Sequence, residues 1–245
     1  MPQLRPTWLD SARKAYLDDW LWDKWGFARG WPTHFPEMLL WYSAAGAAFL
    51  GEEAADTFVK AASQGHLDLL PERRRATWRA AQRLSQLICT KRTTNPVDWF
   101  TGGCKVLERG WKRLDDIPGI GPKIASFLLR DLSFLRDYSD GRGGTIVRYG
   151  DRLQRRWFER LTYEDQALFI PIDRHVHVRA RKHLASKTIR RLDVSTIQAA
   201  PDLHRTAATE IVAWARARTL DPRDVNMYWY SRGAGNIHKD GTPTE

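Results

Sequence analysis

The chain has 245 residues, of which 42% are hydrophobic and 28% charged, enough to bury one substantial core or two small lobes sharing a cleft. Its formal charge of +10 at pH 7 points to a polyanionic partner over a neutral or acidic small molecule, and makes any such binding steeply salt-dependent. Cys89 and Cys104 are too few for a four-thiolate cluster, and no apolar run reaches the roughly eighteen residues of a membrane span, so a soluble intracellular protein with reduced cysteines and no membrane partner is expected.

Residues 6 to 25 carry Trp8, Leu9, Tyr16, Trp20, Leu21 and Trp25 at helix-compatible spacing, and a loop follows to Pro36. Residues 1–35 therefore read as an aromatic-rich N-terminal cap. Pro36 to Leu50 predicts an apolar helix, and Glu52 to Ser63 a second one that stops at Gln64-Gly65. Pro71 opens a long basic helix through Leu87, in which Arg73, Arg74, Arg75, Arg79 and Arg83 alternate with Trp78, Ala81 and Leu84. Such a charge run is ordinarily a solvated face, and only its sign argues for contact with DNA. A further helix is predicted from Pro96 to Glu108, interrupted by Gly102-Gly103, and Trp111 to Asp116 leads into the most informative stretch.

That stretch is Asp115 to Ala125, where Gly119 and Gly121 flank Ile120 just before a helix opens. Glycines there allow a tight hairpin whose successive N–H groups point outward to an anion, naturally a phosphate. Pro122 suits the first helical position, and Ile124, Ala125, Leu128, Leu129 and Leu132 supply an apolar face at helical spacing.

Downstream, residues 133–168 read as an insertion, with Asp140 to Gly144 as a loop and Arg148 to Arg160 as a charged helix. The glycines there are followed by no Lys-Ser or Lys-Thr, so they do not form a nucleotide-binding loop. Phe169 to Ile172 is an apolar, strand-like run, and Asp173 then starts a helix carrying Val176, Ala180 and Leu184 on one face. Residues 201 to 218 and 222 to 232 predict two more helices, and 233–245 a disordered tail. The fold class is mainly α, with two helical lobes (36–132 and 169–232) around a cleft.

The Gly119–Gly121 hairpin, at about 105–132, together with Ile170-Pro171-Ile172-Asp173-Arg174-His175, resembles the helix-hairpin-helix DNA glycosylase superfamily, which includes endonuclease III and 8-oxoguanine DNA glycosylase. The resemblance implies base excision, with Asp173 as the catalytic carboxylate. Lys123 stands at the position of the catalytic lysine of members that also cleave the backbone. It further implies phosphate contacts from Pro118, Gly119, Ile120, Gly121 and His175, with a monovalent cation on the hairpin carbonyls as an option. Trp41, Tyr42 and Ser43 stand about where members carry a residue that fills the gap in the DNA, although the usual Gln is absent. The 50 positions between Lys123 and Asp173 exceed the family spacing, which is why an insertion is implied.

The resemblance implies no cofactor, double-stranded DNA with a damaged or modified base as partner, and a monomer. It leaves open which base is excised. Two other classes compete. In a non-enzymatic helix-hairpin-helix DNA-binding module, Lys123 would neutralise phosphate and Asp173 would merely cap a helix. A nuclease would need several carboxylates converging on metal, and Asp115 and Asp116 are read instead as ending the hairpin's first helix. His175 and His177, two residues apart on a helix, face different ways and make a poor metal pair. Most of the 12 tryptophans are expected in the core, with few left to stack on a base.

Overall fold

The computed structural model describes residues 35–46, 50–89, 106–137, 156–185 and 187–234. The N-terminal cap, most of the helix expected at 96–108, Cys104, the Asp140–Gly144 stretch and the tail beyond 234 lie outside these residues. Every regular element described is a helix, in agreement with a mainly α class.

Helix α1, Phe35–Ala45, is apolar around its whole circumference: Phe35, Met38, Leu39, Leu40, Trp41, Tyr42, Ser43 and Ala44 are all buried. A helix without a polar face must sit inside the molecule. It does so by packing against α2, Gly51–Ser63, and α3, Glu72–Cys89. It ends at Ala45, short of the expected Leu50. Gly46, a poor helix former, follows, and a Cβ there would lie 2.0 Å from Ile124 Cδ1, so only glycine permits this approach. In α3, Trp78, Ala81 and Leu84 turn inward while Arg73, Arg79 and Arg83 remain exposed. Arg74 departs from that pattern and is buried.

Helix α4, Leu107–Asp115, and α5, Pro122–Asp137, are joined by a short turn and held side by side by the bond from Trp111 Nε1 to Ser126 Oγ, 2.9 Å. The predicted apolar face of α5 is the buried one, from Ile124 through Leu132. The described parts of 133–168 are built into the body of the protein. Residues 133–137 continue α5, and Phe158 of α6, Arg156–Glu159, is fully buried edge-on against Phe169 at 5.5 Å. Thr162 caps α7, Tyr163–Ala167, by accepting from the N–H of Asp165.

The apolar run Phe169–Ile172 is fully buried but forms no strand; it is a turn followed by irregular backbone. Short apolar runs signal burial without fixing conformation, and no neighbouring strand is present among the described residues to pair with it. Then come α8, Arg174–His183, α9, Lys187–Arg191, α10, Val194–Ala199, α11, Pro201–Arg216, and α12, Pro222–Ala234.

Two large apolar clusters result. One gathers side chains of α1, α3, α4 and α5 with Phe158 and Phe169; the other gathers Ile170, Ile172 and the inner faces of α8, α11 and α12. A buried polar chain crosses between them. Tyr42 Oη donates to Asp131 Oδ2, and Arg130 donates to Asp131 Oδ1 through Nε, 3.1 Å, and Nη2, 3.0 Å. Arg130 Nη1 also donates to Asn226 Oδ1, 2.9 Å, and Asn226 Nδ2 to the carbonyl of Pro171, 2.7 Å. Arg130, Asp131 and Asn226 are completely buried, an arrangement tolerable only because each charge and amide meets a partner.

Candidate active site at the α4–α5 turn

The turn is tied by short-range bonds: the N–H groups of Asp116, Ile117 and Ile120 donate to Lys112, Leu114 and Ile117 carbonyls at 2.9, 3.0 and 2.9 Å. Ile117 and Ile120 anchor it in the core. Gly119 adopts φ +87°, in the left-handed region. A Cβ at Gly119 would also meet Thr77 Oγ1 at 2.8 Å and Arg74 Nη1 at 3.1 Å, so α3 braces the turn from behind. The same Thr77 hydroxyl donates to the Pro118 carbonyl.

Helix α5 begins at Pro122, and the Ala125 N–H donates to the Gly121 carbonyl at 3.0 Å. The N–H groups of Lys123 and Ile124 belong to the first turn and have no intrahelical acceptor. Beside them opens a cavity of about 240 Å³, bordered by Ser43, Arg73, Arg74, Gly121, Lys123 and Gln198. Among the described residues no carboxylate lines it.

Lys123 enters this cavity with its Nζ donating to the Gly46 carbonyl, 2.8 Å. Burial lowers its amine below the ordinary lysine range, and the charge of Asp173 acts in the opposite direction. The downward push thus comes from desolvation. Asp173 is the N-cap of α8, its Oδ1 accepting from Val176 N–H at 2.7 Å. The preceding carbonyl, Ile172, accepts from Gln198 Nε2 at 2.7 Å, so α10 touches both the cavity and the backbone that carries Asp173. Tyr230 completes the neighbourhood. Its phenol is raised by burial first and by Asp173 next, and its ring stands edge-on to His175 at 6.1 Å and to Phe127 at 5.6 Å.

The fold therefore brings Lys123 and Asp173, 50 positions apart, within electrostatic reach of each other. Of the turn residues, Gly119 and Gly121 border the cavity; Ile120 is a core side chain and Pro118 is exposed. His175 packs against Tyr230 and does not line the cavity. The three residues on α1 separate. Trp41 and Tyr42 are core side chains, Trp41 Nε1 donating to Asp56 at 2.8 Å, and neither lines the cavity. Ser43 does line the cavity, where its Oγ accepts from Arg74 Nη1 at 3.0 Å. His177 uses Nε2 on the carbonyls of Ile189 and Leu192, a structural role that ties down α9. Among the described residues no group of three His, Cys, Asp or Glu side chains could hold a metal ion.

Arg74, Gln198, Gly46 and Tyr230 escaped the sequence reading. Arg74 had a signal: it lies four and seven residues before Trp78 and Ala81, on the buried stripe of its own helix. The other three meet the site only through the tertiary fold. No protein-family model, curated protein or solved structure matches the chain.

Proposed function

We propose that this protein is a DNA glycosylase that excises a damaged or modified base and then cleaves the abasic strand through Lys123. The observation that carries the reading is a buried amine, depressed by desolvation, within electrostatic reach of the Asp173 carboxylate and beside a glycine turn that joins two helices. On this reading α4, the turn and α5 hold the backbone of double-stranded DNA, the two apolar clusters form lobes about the DNA, and a monomer suffices.

Breaking the bond between C1′ and the base leaves positive charge on the sugar, and Asp173 would stabilise it as it develops. The neutral amine of Lys123 attacks C1′ and the base departs with its bonding electrons, taking up the proton that the attacking nitrogen releases; the C1′–O4′ bond then breaks as the nitrogen lone pair forms the C1′=N bond, and O4′ leaves with its electrons and takes a proton from water. The resulting Schiff base acidifies the C2′ hydrogen; loss of that proton expels the 3′ phosphate oxygen and cuts the strand. Desolvation favours the uncharged amine that this attack needs. The target nucleotide must leave the helical stack to reach these groups.

A second reading has its own support. The Asp173 carboxylate already accepts the Val176 N–H, which is what a purely structural cap does, so a non-enzymatic DNA-binding module is the competing class. Borohydride trapping on duplexes with an abasic site or a panel of modified bases separates the two. The enzyme reading expects a covalent adduct that is lost in Lys123→Ala, and base release that is lost in Asp173→Asn. No adduct and no free base on any duplex, with salt-sensitive binding intact, would leave the module.

A further inference from the structure

We infer that the exposed surface of α8 and α9, together with Arg218 just beyond α11, is a second contact for DNA, separate from the glycine turn, which holds the duplex backbone to one side of the target nucleotide. The surface itself stands on charge and its arrangement. Its assignment to the duplex held near Lys123 and Asp173 rests on the function proposed above.

Residues 174–192 contain seven Lys or Arg and no Asp or Glu, so this short segment holds a charge of +7 in a chain whose total is +10. On α8 the buried stripe is Val176, His177, Ala180 and Leu184, and Arg174, Arg181 and Lys182 form an exposed row on the opposite side with the apolar Val178. That row starts one residue after Asp173 and runs about 12 Å along the helix, at 1.5 Å per residue. Arg190 Nε donates to the Leu184 carbonyl at 2.9 Å, which fixes the arginine where α8 ends. Arg218 lies over the Trp214 ring, 4.3 Å from its centre, and Trp214 is tilted against His183 at 5.5 Å, so Arg218 reaches the same end of α8. Partial burial and then Arg179, Arg218 and Lys182 all lower the His183 imidazole, which shows these cations converging on it from two elements.

Counter-charge is absent from this surface. None of these arginines, nor Lys182, forms an ion pair among the described residues, whereas Arg130, Arg205 and Arg223 face Asp131, Glu108 and Asp221. Asp193, the first acid beyond the segment, is turned to its own helix, its Oδ1 accepting from Ser195 Oγ and Thr196 N–H. Like charges held together repel one another, and a polyanion with regularly spaced charge removes that cost. Continuity with the candidate site selects a duplex over an acidic protein. A backbone whose sugar lies at Asp173 has its neighbouring phosphates near Arg174, and a row about 12 Å long matches about three to four base-pair steps of 3.4 Å.

Fluorescence anisotropy of the full chain on an unmodified duplex, repeated across salt concentrations, tests the surface without turnover. Arg181→Gln with Lys182→Gln, both exposed, should lower the slope of log affinity against log salt by about two counterions. Lys60→Gln with Arg160→Gln removes the same charge from exposed positions elsewhere and should leave the slope within about half a counterion of the parent. Equal slopes for the two double variants would overturn the inference. Lysine acetylation read by mass spectrometry should find Lys182 protected by saturating duplex and Lys60 as reactive as before; unchanged reactivity of Lys182 would overturn it too. Polyglutamate of matched charge should compete less well than unlabelled duplex, and equal competition would make this a site for acidic protein instead.

None of these measurements needs catalysis. Absence of base release from every substrate, with the Arg181 and Lys182 effect intact, would remove the proposed activity and leave the surface. Base release without that effect would remove the surface alone.

Discussion

Gly119→Ala should destabilise the protein far more than the same change two residues on. At Gly119 the φ of +87° strains any residue with a Cβ, by about 1–2 kcal/mol. The new methyl would also fall 2.8 Å from Thr77 Oγ1 and 3.1 Å from Arg74 Nη1, and overpacking of this kind costs about 1–3 kcal/mol. The two effects act on different degrees of freedom, so about 2–5 kcal/mol is expected in all. For a chain of this size each kcal/mol lowers the melting temperature by about 2–4 °C. Gly121→Ala meets nothing within 4 Å and needs no left-handed φ, so it should stay within about 0.5 kcal/mol of the parent. Equilibrium urea unfolding of both variants is the assay, with Thr77→Ala added to Gly119→Ala. Removing the nearest obstructing atom should make the double variant's cost less than the sum of the singles by at least about 0.5 kcal/mol. Equal stability of Gly119→Ala and Gly121→Ala would refute the account of the braced turn.

Other expectations concern buried polar groups. Burial holds His204 at about 3 in the folded protein, so between there and its ordinary value the unfolded chain carries a proton that the folded chain lacks. Stability should fall by about 1.4 kcal/mol per pH unit below pH 6.5, and His204→Leu should flatten that limb of a urea-midpoint titration; an unchanged slope would show that other groups cause it. For Lys123 the folded amine lies below the ordinary lysine value, so its contribution to stability rises with pH between that depressed pKa and 10.5. Competitive acetylation read by mass spectrometry should find Lys123 losing its proton below the ordinary lysine value, and deprotonation at or above that value would refute the expectation. Tyr42→Phe removes the hydroxyl that donates to the buried Asp131 and should cost about 1–3 kcal/mol in chemical denaturation. A loss below about 0.5 kcal/mol would mean that this bond adds nothing to the polar chain.

Local chemistry made much of the fold legible. The apolar spacing from Ile124 to Leu132, Pro122 at a helix start and the Asp173 cap each follow from contacts within a few residues, and each appears where expected. Side-chain direction on α1 did not. With buried residues all round, hydrophobic periodicity does not mark which positions of α1 face the core, and only packing against α2 and α3 takes Trp41 and Tyr42 inward. The run at Phe169–Ile172 misled for a related reason: complete burial produces an unbroken apolar string whatever the backbone does. Arg74 could have been read from its place on the Trp78–Ala81 stripe, but the weight of five arginines in one helix hid the single inward one. Gln198 and Gly46 act through a carbonyl acceptor and a missing methyl, features that leave no trace in local spacing.

The chain of bonds from Tyr42 through Asp131, Arg130 and Asn226 to Pro171 bears on how far this protein is modular. Its members come from α1, α5, α12 and the segment before α8, so neither apolar cluster contains the whole chain. A fragment carrying α5 without α12 would bury Arg130 lacking its Asn226 acceptor, and one carrying α12 without α5 would leave Asn226 facing an apolar void. Such halves are poor candidates for transplantation into another protein. Mixed together, they are natural partners for fragment complementation, each supplying the polar groups that the other must satisfy.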